Sequence, residues 1–222
     1  MQKNQKKMLL PSSLPFRFLM ALFLYCFTFE KCKIILANRY KGDIGNDCLL
    51  SVDCADKRMR EMWPYIKKMS DILYSHKFHG PGLRYEIGIG IVSGDICWVN
   101  GPFLCGKERD YDIFSSMRGL MGELDVGERI EADDGYREGD PFFVKTRSGM
   151  SHHPRLRKMR NKVRARHETV NGRMAMWGCM SKIWHHSWTK HQTAFFAVAV
   201  ITQLEIENGE PLFGIENYRD IV

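Results

Sequence analysis

The chain has 222 residues, 44% of them hydrophobic and 27% charged, and a formal net charge of +7. At that length one substantial core forms without disulfides or a structural metal, and the composition is that of an ordinary globular domain. The basic excess suits a polyanionic partner but is too small to name one. The seven cysteines, Cys26, Cys32, Cys48, Cys54, Cys97, Cys105 and Cys179, form no C-x-x-C pair and no repeated spacing. They read as free thiols, not as a disulfide framework or zinc site.

The chain opens with Lys3, Lys6 and Lys7 ahead of a mostly apolar run over 16–29. That layout belongs to a signal peptide or short anchor. The run is shorter than the roughly 20 residues a spanning helix needs, and no small-x-small cleavage site follows it. Residues 1–37 are therefore expected to be an atypical N-terminal segment, an apolar helix with no clear domain of its own. Association with a membrane through 16–29 stands as the alternative.

Cys48 to Asp53 reads as a short buried strand ending on an acid. Residues 58–76 have mixed helical character interrupted by Pro64. Gly80-Pro81-Gly82 is a turn leading into a β-rich run over 83–92, a tight turn at Ser93-Gly94-Asp95, and a second run over 96–100, which together predict a hairpin. Gly88 and Gly90 lack the dinucleotide-loop spacing and are expected to admit a close neighbour. A helix is predicted over 107–124, with Ile113, Met117, Leu120 and Leu124 as its stripe. Glu128 to Asp133 is another short strand ending in acid, and Phe142 to Val144 a further one. From Arg155 to about Gly178 a long helix is predicted, with Pro154 at its first turn. There Leu156, Met159, Val163, Val170, Met174 and Trp177 fall within about 40° of one direction at about 100° per residue. A last, buried helix runs from Thr193 to Asn208 and is capped by Gly209. The order describes an α/β domain with a mixed sheet flanked by helices, over residues 38–222.

Asp53 and Asp133 end strands, where α/β sheets place their chemistry, and Glu168 lies in the long helix. Three such carboxylates suit divalent-metal phosphoryl transfer, in which hard cations take carboxylate oxygens. Ordinary surface acids are the competing reading. Between Lys145 and Arg166 the sequence has nine Lys and Arg residues and no acid. Arg155, Arg157, Lys158, Arg160 and Arg164 are its candidates for DNA phosphate contacts, against a solvated helix face as the plain alternative. Arg157, Asn161, Arg164 and Glu168 share one helix face, which turns Glu168 away from the apolar stripe. His185, His186 and His191, with Trp184 and Trp188, suit packing and occasional phosphate contact better than zinc.

Six segments carry a likeness: GDIGNDCLLSVDCAD (42–56), SHKFHGPGLRYEIGI (75–89), GDICWVNGPFLCGKERDYDIF (94–114), ERIEADDGY (128–136), RHETVNGR (166–173) and AVAVITQLEIENGEPLF (197–213). In these, across about 38–218, the chain resembles the DDE-superfamily endonucleases derived from transposases of the Harbinger and insertion-sequence type. The resemblance implies an RNase H-like fold that cuts or joins DNA in the nucleus with two Mg²⁺ or Mn²⁺ ions. It places the acid triad on Asp53, Asp133 (with Asp134 as fallback) and Glu168, and a supporting acid on Asp110. Cys54 stands where the family usually has glycine, and residues 1–37 do not resemble the family's helical DNA-recognition region. Two expectations follow. One is an active nuclease or strand-transfer domain, served by DNA and by a separate DNA-binding partner protein. The other is a catalytically inactive, truncated remnant that still binds DNA.

Overall fold

The computed structural model describes residues 34–42, 45–61, 66–146, 154–215 and 218, the side chains of Arg155 and Leu156 excepted. The apolar run over 16–29 lies outside the described residues. Among those described, no helix is long and apolar enough to cross a membrane.

Strand β1 (Cys48–Arg58) is the spine of the fold. Its residues alternate between two covered faces, so apolar burial is nearly continuous over Cys48–Val52, as expected of a central strand. The strand continues five residues past Asp53, beyond the apolar run. It does so because β3 (Gly80–Gly90) pairs antiparallel with it from Leu50↔Gly90 to Arg58↔Gly82. Gly80-Pro81-Gly82 is not a free turn but the start of β3, paired with the two-residue β2 (Tyr74–Ser75). Proline is tolerated there because it sits at the first residues of a strand. The predicted hairpin forms between β3 and β4 (Ile96–Leu104). A side-chain carbon on Gly88 would lie 2.9 Å from Trp98 Cβ, so that glycine makes room for the indole. On the other side of β1 run β5 (Arg129–Glu131) and then β6 (Val144–Lys145), both parallel. The result is a six-stranded mixed sheet with three long antiparallel strands, the two-residue β2 antiparallel to β3, and two short parallel strands.

The helices are α1 (Lys67–Leu73), α2 (Asp110–Phe114), α3 (Pro154–Ala175), α4 (Gly178–Ser181) and α5 (Trp188–Glu207). The single helix predicted over 107–124 is broken. Only α2 and a 3-10 turn at Leu120–Glu123 form, because the chain doubles back at Gly119. A side-chain carbon there would lie 2.1 Å from the Phe114 carbonyl oxygen. Helix α5 starts five residues before Thr193, its polar first turn carrying the fully buried His191.

Helices α3 and α5 cover one sheet face. Val170 and Met174 of α3 and Phe195 and Val198 of α5 pack on Tyr85, Ile87 and Ile89. The Tyr85 and Phe195 rings stack with centroids 3.7 Å apart. The opposite face is closed by Phe114, Leu120 and Tyr136 over Leu50, Val52, Ile130 and Val144. Helix α3 runs along β1: Val163 meets Cys48 near the strand's start, while Val170 and Met174 join the cluster around Ala55. Ile34 and Leu36 also pack onto these cores, so the packed domain includes residues just before position 38.

Lys57, on the α5 face of β1, is 7% exposed, with its ammonium 5.8 Å from the Phe195 ring centroid. Burial, and then the charge of Lys77, pushes its pKa down to about 8 from 10.5. The charged form is therefore disfavoured in the fold. The contribution of Lys57 to stability is most favourable above pH 10.5, falls as pH drops toward 8, and is flat below that. At neutral pH the cost is about 3 kcal/mol. Lys57→Met is expected to unfold at higher denaturant concentration than wild type at pH 7, with the gap closing toward pH 10. Equal midpoints at both pH values would refute this.

Candidate active site

Strands β1 and β5 are adjacent and parallel, with Ser51 opposite Glu131. Asp53 lies two residues past Ser51 in β1 and Asp133 two past Glu131, where the chain has left β5 for a 3-10 turn, and the charge of Asp133 is felt at Asp53. Side chains repeat every second residue, so Ser51 and Asp53 share a face. That face is the one α3 covers: Ser51 Oγ and His167 Nε2 are hydrogen-bonded at 2.9 Å, and Arg160 Nε lies 3.1 Å from Glu131 Oε1. A cavity of about 50 Å³ opens between the middle of β1, the end of β5 and the flank of α3. Asp53, Asp133 and Glu168 all line it, together with Glu131, Lys145, Arg160, Arg164 and His167. The space admits a few waters or a partly hydrated cation.

Each acid is held differently. Burial, and then the charge of Asp133, raises the Asp53 carboxyl to about pKa 6, although the Cys54 amide donates to its Oδ1 at 2.9 Å. Asp133 is the N-cap of a 3-10 turn, accepting from the Gly135 amide at 2.8 Å. A side-chain carbon at Gly135 would lie 2.7 Å from Asp110 Oδ2 and 2.9 Å from Asp133 Oδ1, so a larger residue there would push on both carboxylates. Asp134, the fallback, is exposed and does not line the cavity. Glu168 is exposed on α3 and reaches the cavity from the helix flank. Facing away from the apolar stripe therefore does not separate it from the two aspartates. Asp110 stands at the start of α2, outside the cavity, where Arg84 Nη1 donates to its Oδ1 at 2.8 Å.

The chain matches no family model, no curated protein and no solved structure.

The donors suit a hard divalent ion in kind: carboxylates from β1, from just past β5 and from α3, with one pushed up by burial and then by its like-charged neighbour. They are not closed around a point. Among the described residues, no three His, Cys, Asp or Glu side chains are gathered so as to hold an ion. Asp53 and Asp133 would form the fixed part of such a site, and Glu168 would have to turn inward to complete it.

Of the basic candidates, Arg157, Lys158 and Arg164 are exposed on α3, and the side chain of Arg155 lies outside the described residues. Arg160 is turned inward, 15% exposed and paired with Glu131, so it shapes the cavity wall instead of meeting solvent. Arg166, the last of the basic run, is 1% exposed and donates to the carbonyls of Gly90, Ile91 and Phe213. It is a clamp and not a phosphate contact. His185 and His186 are exposed, whereas His191 is buried with its Nδ1 2.7 Å from Tyr85 Oη.

Glu131, Lys145, His167 and Ser51 are the cavity residues that the three-acid pattern does not include. Glu131 is 5% exposed, held by Arg160 and by the Tyr218 hydroxyl at 2.9 Å. His167 is 3% exposed, and burial pushes its pKa down to about 4, so its ring is neutral. The alternation Ser51–Asp53 and Glu131–Asp133 is the signal that points to Ser51 and Glu131. Nothing local marks His167 or Lys145.

Proposed function

We propose that the chain is a divalent-metal-dependent DNA endonuclease or strand-transfer domain of RNase H-like fold, acting through Asp53, Asp133 and Glu168. The observation that carries the reading is the convergence of these three acids on one cavity from β1, the end of β5 and α3. Strand order supports it, with the first strand central between an antiparallel hairpin and two parallel strands. The DDE-superfamily likeness of the Harbinger and insertion-sequence type rests on the six sequence segments, and a nuclear DNA substrate goes with it.

Asp53, Asp133 and Glu168 would hold the ions, Mg²⁺ or Mn²⁺. When bound, these activate the attacking oxygen and stabilise the leaving oxygen of a phosphodiester. Asp133 is fixed by its cap to Gly135, and Asp53 by its place in the central strand. Arg164 faces the cavity and makes no hydrogen bond or ion pair among the described residues, so it is free to meet a phosphate oxygen. Arg157 and Lys158 extend that basic surface along α3. The neutral His167, bonded to Ser51, keeps α3 at one rotation so that the next residue, Glu168, borders the cavity.

A second reading, a catalytically inactive remnant that binds DNA, draws on the open arrangement of the acids and on Cys54 beside Asp53. Nicking of supercoiled plasmid by the full chain with Mn²⁺ or Mg²⁺ decides between them. Asp133→Asn is the control, because asparagine keeps the N-cap. Metal-dependent nicking by wild type, reduced at least about 100-fold in the folded variant, is the expected result. Equal inertness of both proteins, folded and DNA-bound, would leave the remnant reading.

A further inference from the structure

The far end of β1 carries a second concentration of positive charge that the acid site does not use. There the chain brings together the end of β1, the β2–β3 corner and the loop between α4 and α5. The Arg60 amide donates to the Trp184 carbonyl at 2.8 Å, and the Trp184 amide to the Arg58 carbonyl at 3.0 Å. The Arg58 guanidinium lies 5.0 Å from the Phe78 ring centroid, tying in the corner that bears Lys77. Arg58, Arg60, Lys77, Lys182 and Lys190 are all exposed, and none makes an ion pair among the described residues. Across 57–61, 76–79 and 182–190 the only acid is Glu61. Of this cluster, Lys77 acts on the buried Lys57, whose pKa is pushed down by burial and then by that charge. Trp188, 41% exposed, offers a flat apolar face among these charges.

Helix α3 and β1 run side by side, so the two basic surfaces lie toward opposite ends of the molecule with the cavity between them. Arg157 is eleven residues before Glu168, about 16 Å along the helix. Arg58 is five residues beyond Asp53, about 17 Å along the strand. Together these span about 33 Å, close to ten base pairs at about 3.4 Å each.

We propose that this surface, centred on Arg58, Arg60, Lys77, Lys182 and Lys190, is a second duplex-DNA contact that holds the DNA flanking the site of cleavage. The proposal rests on the endonuclease reading and adds to it where the duplex leaves the site. Duplex DNA is favoured as occupant because dispersed, unpaired Lys and Arg match a regular line of phosphates. Contact with phosphates alone makes binding salt-dependent and sequence-neutral.

Fluorescence anisotropy of a 30-base-pair duplex over a salt series tests this with the full-length wild type and Arg60→Glu/Lys182→Glu/Lys190→Glu. The triple variant, shown folded by circular dichroism, is expected to bind at least about tenfold more weakly, with a salt slope smaller by about 2–3. If wild type binds and the variant matches it in affinity and slope, this inference fails while the endonuclease reading stands. If wild type binds no DNA, both fail. A loss of binding to anionic phosphatidylserine vesicles with DNA binding unchanged would assign the surface to a membrane and overturn the proposal. Should the triple reversal not fold, Lys182→Ala/Lys190→Ala, at exposed positions, is expected to lose about threefold with a correspondingly smaller slope; an unchanged affinity overturns the proposal there too.

Discussion

Replacing Arg166 with methionine is expected to lower unfolding stability by about 3–5 kcal/mol, measured by urea denaturation. Its guanidinium is 1% exposed and has no carboxylate partner among the described residues. Instead it donates to backbone: Nη1 to Ile91 at 2.6 Å and to Gly90 at 3.1 Å, Nη2 to Phe213 at 2.8 Å and Nε to the same oxygen at 3.1 Å. Burial lowers its pKa to about 10, which still leaves it charged at neutral pH. Methionine fills much of the volume but strands three carbonyl groups, and each unsatisfied buried group costs about 1–3 kcal/mol. Gly94 completes the arrangement. Its φ of +77° forms the turn between β3 and β4, and a side-chain carbon there would lie 3.6 Å from the Arg166 guanidinium carbon. The clamp joins α3, that turn and the segment after α5, and it sits two residues before Glu168. A loss below about 1 kcal/mol would mean the carbonyls find other donors, and the clamp is not what fixes α3.

Arg166 also shows where sequence patterns stop being readable. It closes an uninterrupted basic run, so charge alone groups it with Arg157 and Arg164. Its place on the wheel, beside Val163 and Val170, is the sign that it goes inward. The long strands were legible because β1, β3 and β4 carry apolar runs, and α3 because its stripe keeps one direction. The end of β1 was not, since Asp56 and Lys57 look like surface residues. They are buried because β3 pairs along the whole strand, a long-range fact. The start of α5 was hidden for the same reason: His191 is polar in sequence but bonded to Tyr85, 106 residues away. At the candidate site both acids could be picked out where apolar runs end, but Asp53 is not a strand end, because β1 runs on to Arg58. Glu131 could be placed by its alternation with Asp133, but its burial could not, because what makes that tolerable, Arg160 and Tyr218, comes from distant parts of the chain.

Asp53→Asn should move stability and activity in opposite directions. In the metal-free protein Asp53 has a pKa raised to about 6 from 3.8, by burial first and then by Asp133. A raised carboxyl pKa means the charged form is disfavoured in the fold. The cost is fully present above pH 6 and is relieved as pH falls toward 3.8. At pH 7 the variant should therefore be more stable by about 1–2 kcal/mol, after discounting for the partial exposure of the group. The difference should shrink below pH 5. Asparagine keeps Oδ1 for the Cys54 amide, so the strand is not disturbed. Millimolar Mn²⁺ should raise the melting temperature of wild type by mass action and leave that of the variant nearly unchanged. Nicking should fall at least about 100-fold in the same variant. A site built for function carries this signature, in which the cost of burying like-charged carboxylates is kept because a cation relieves it. If Asp53→Asn is instead less stable than wild type at pH 7, and Mn²⁺ shifts both proteins equally, Asp53 is a structural acid and the cavity holds no ion through it.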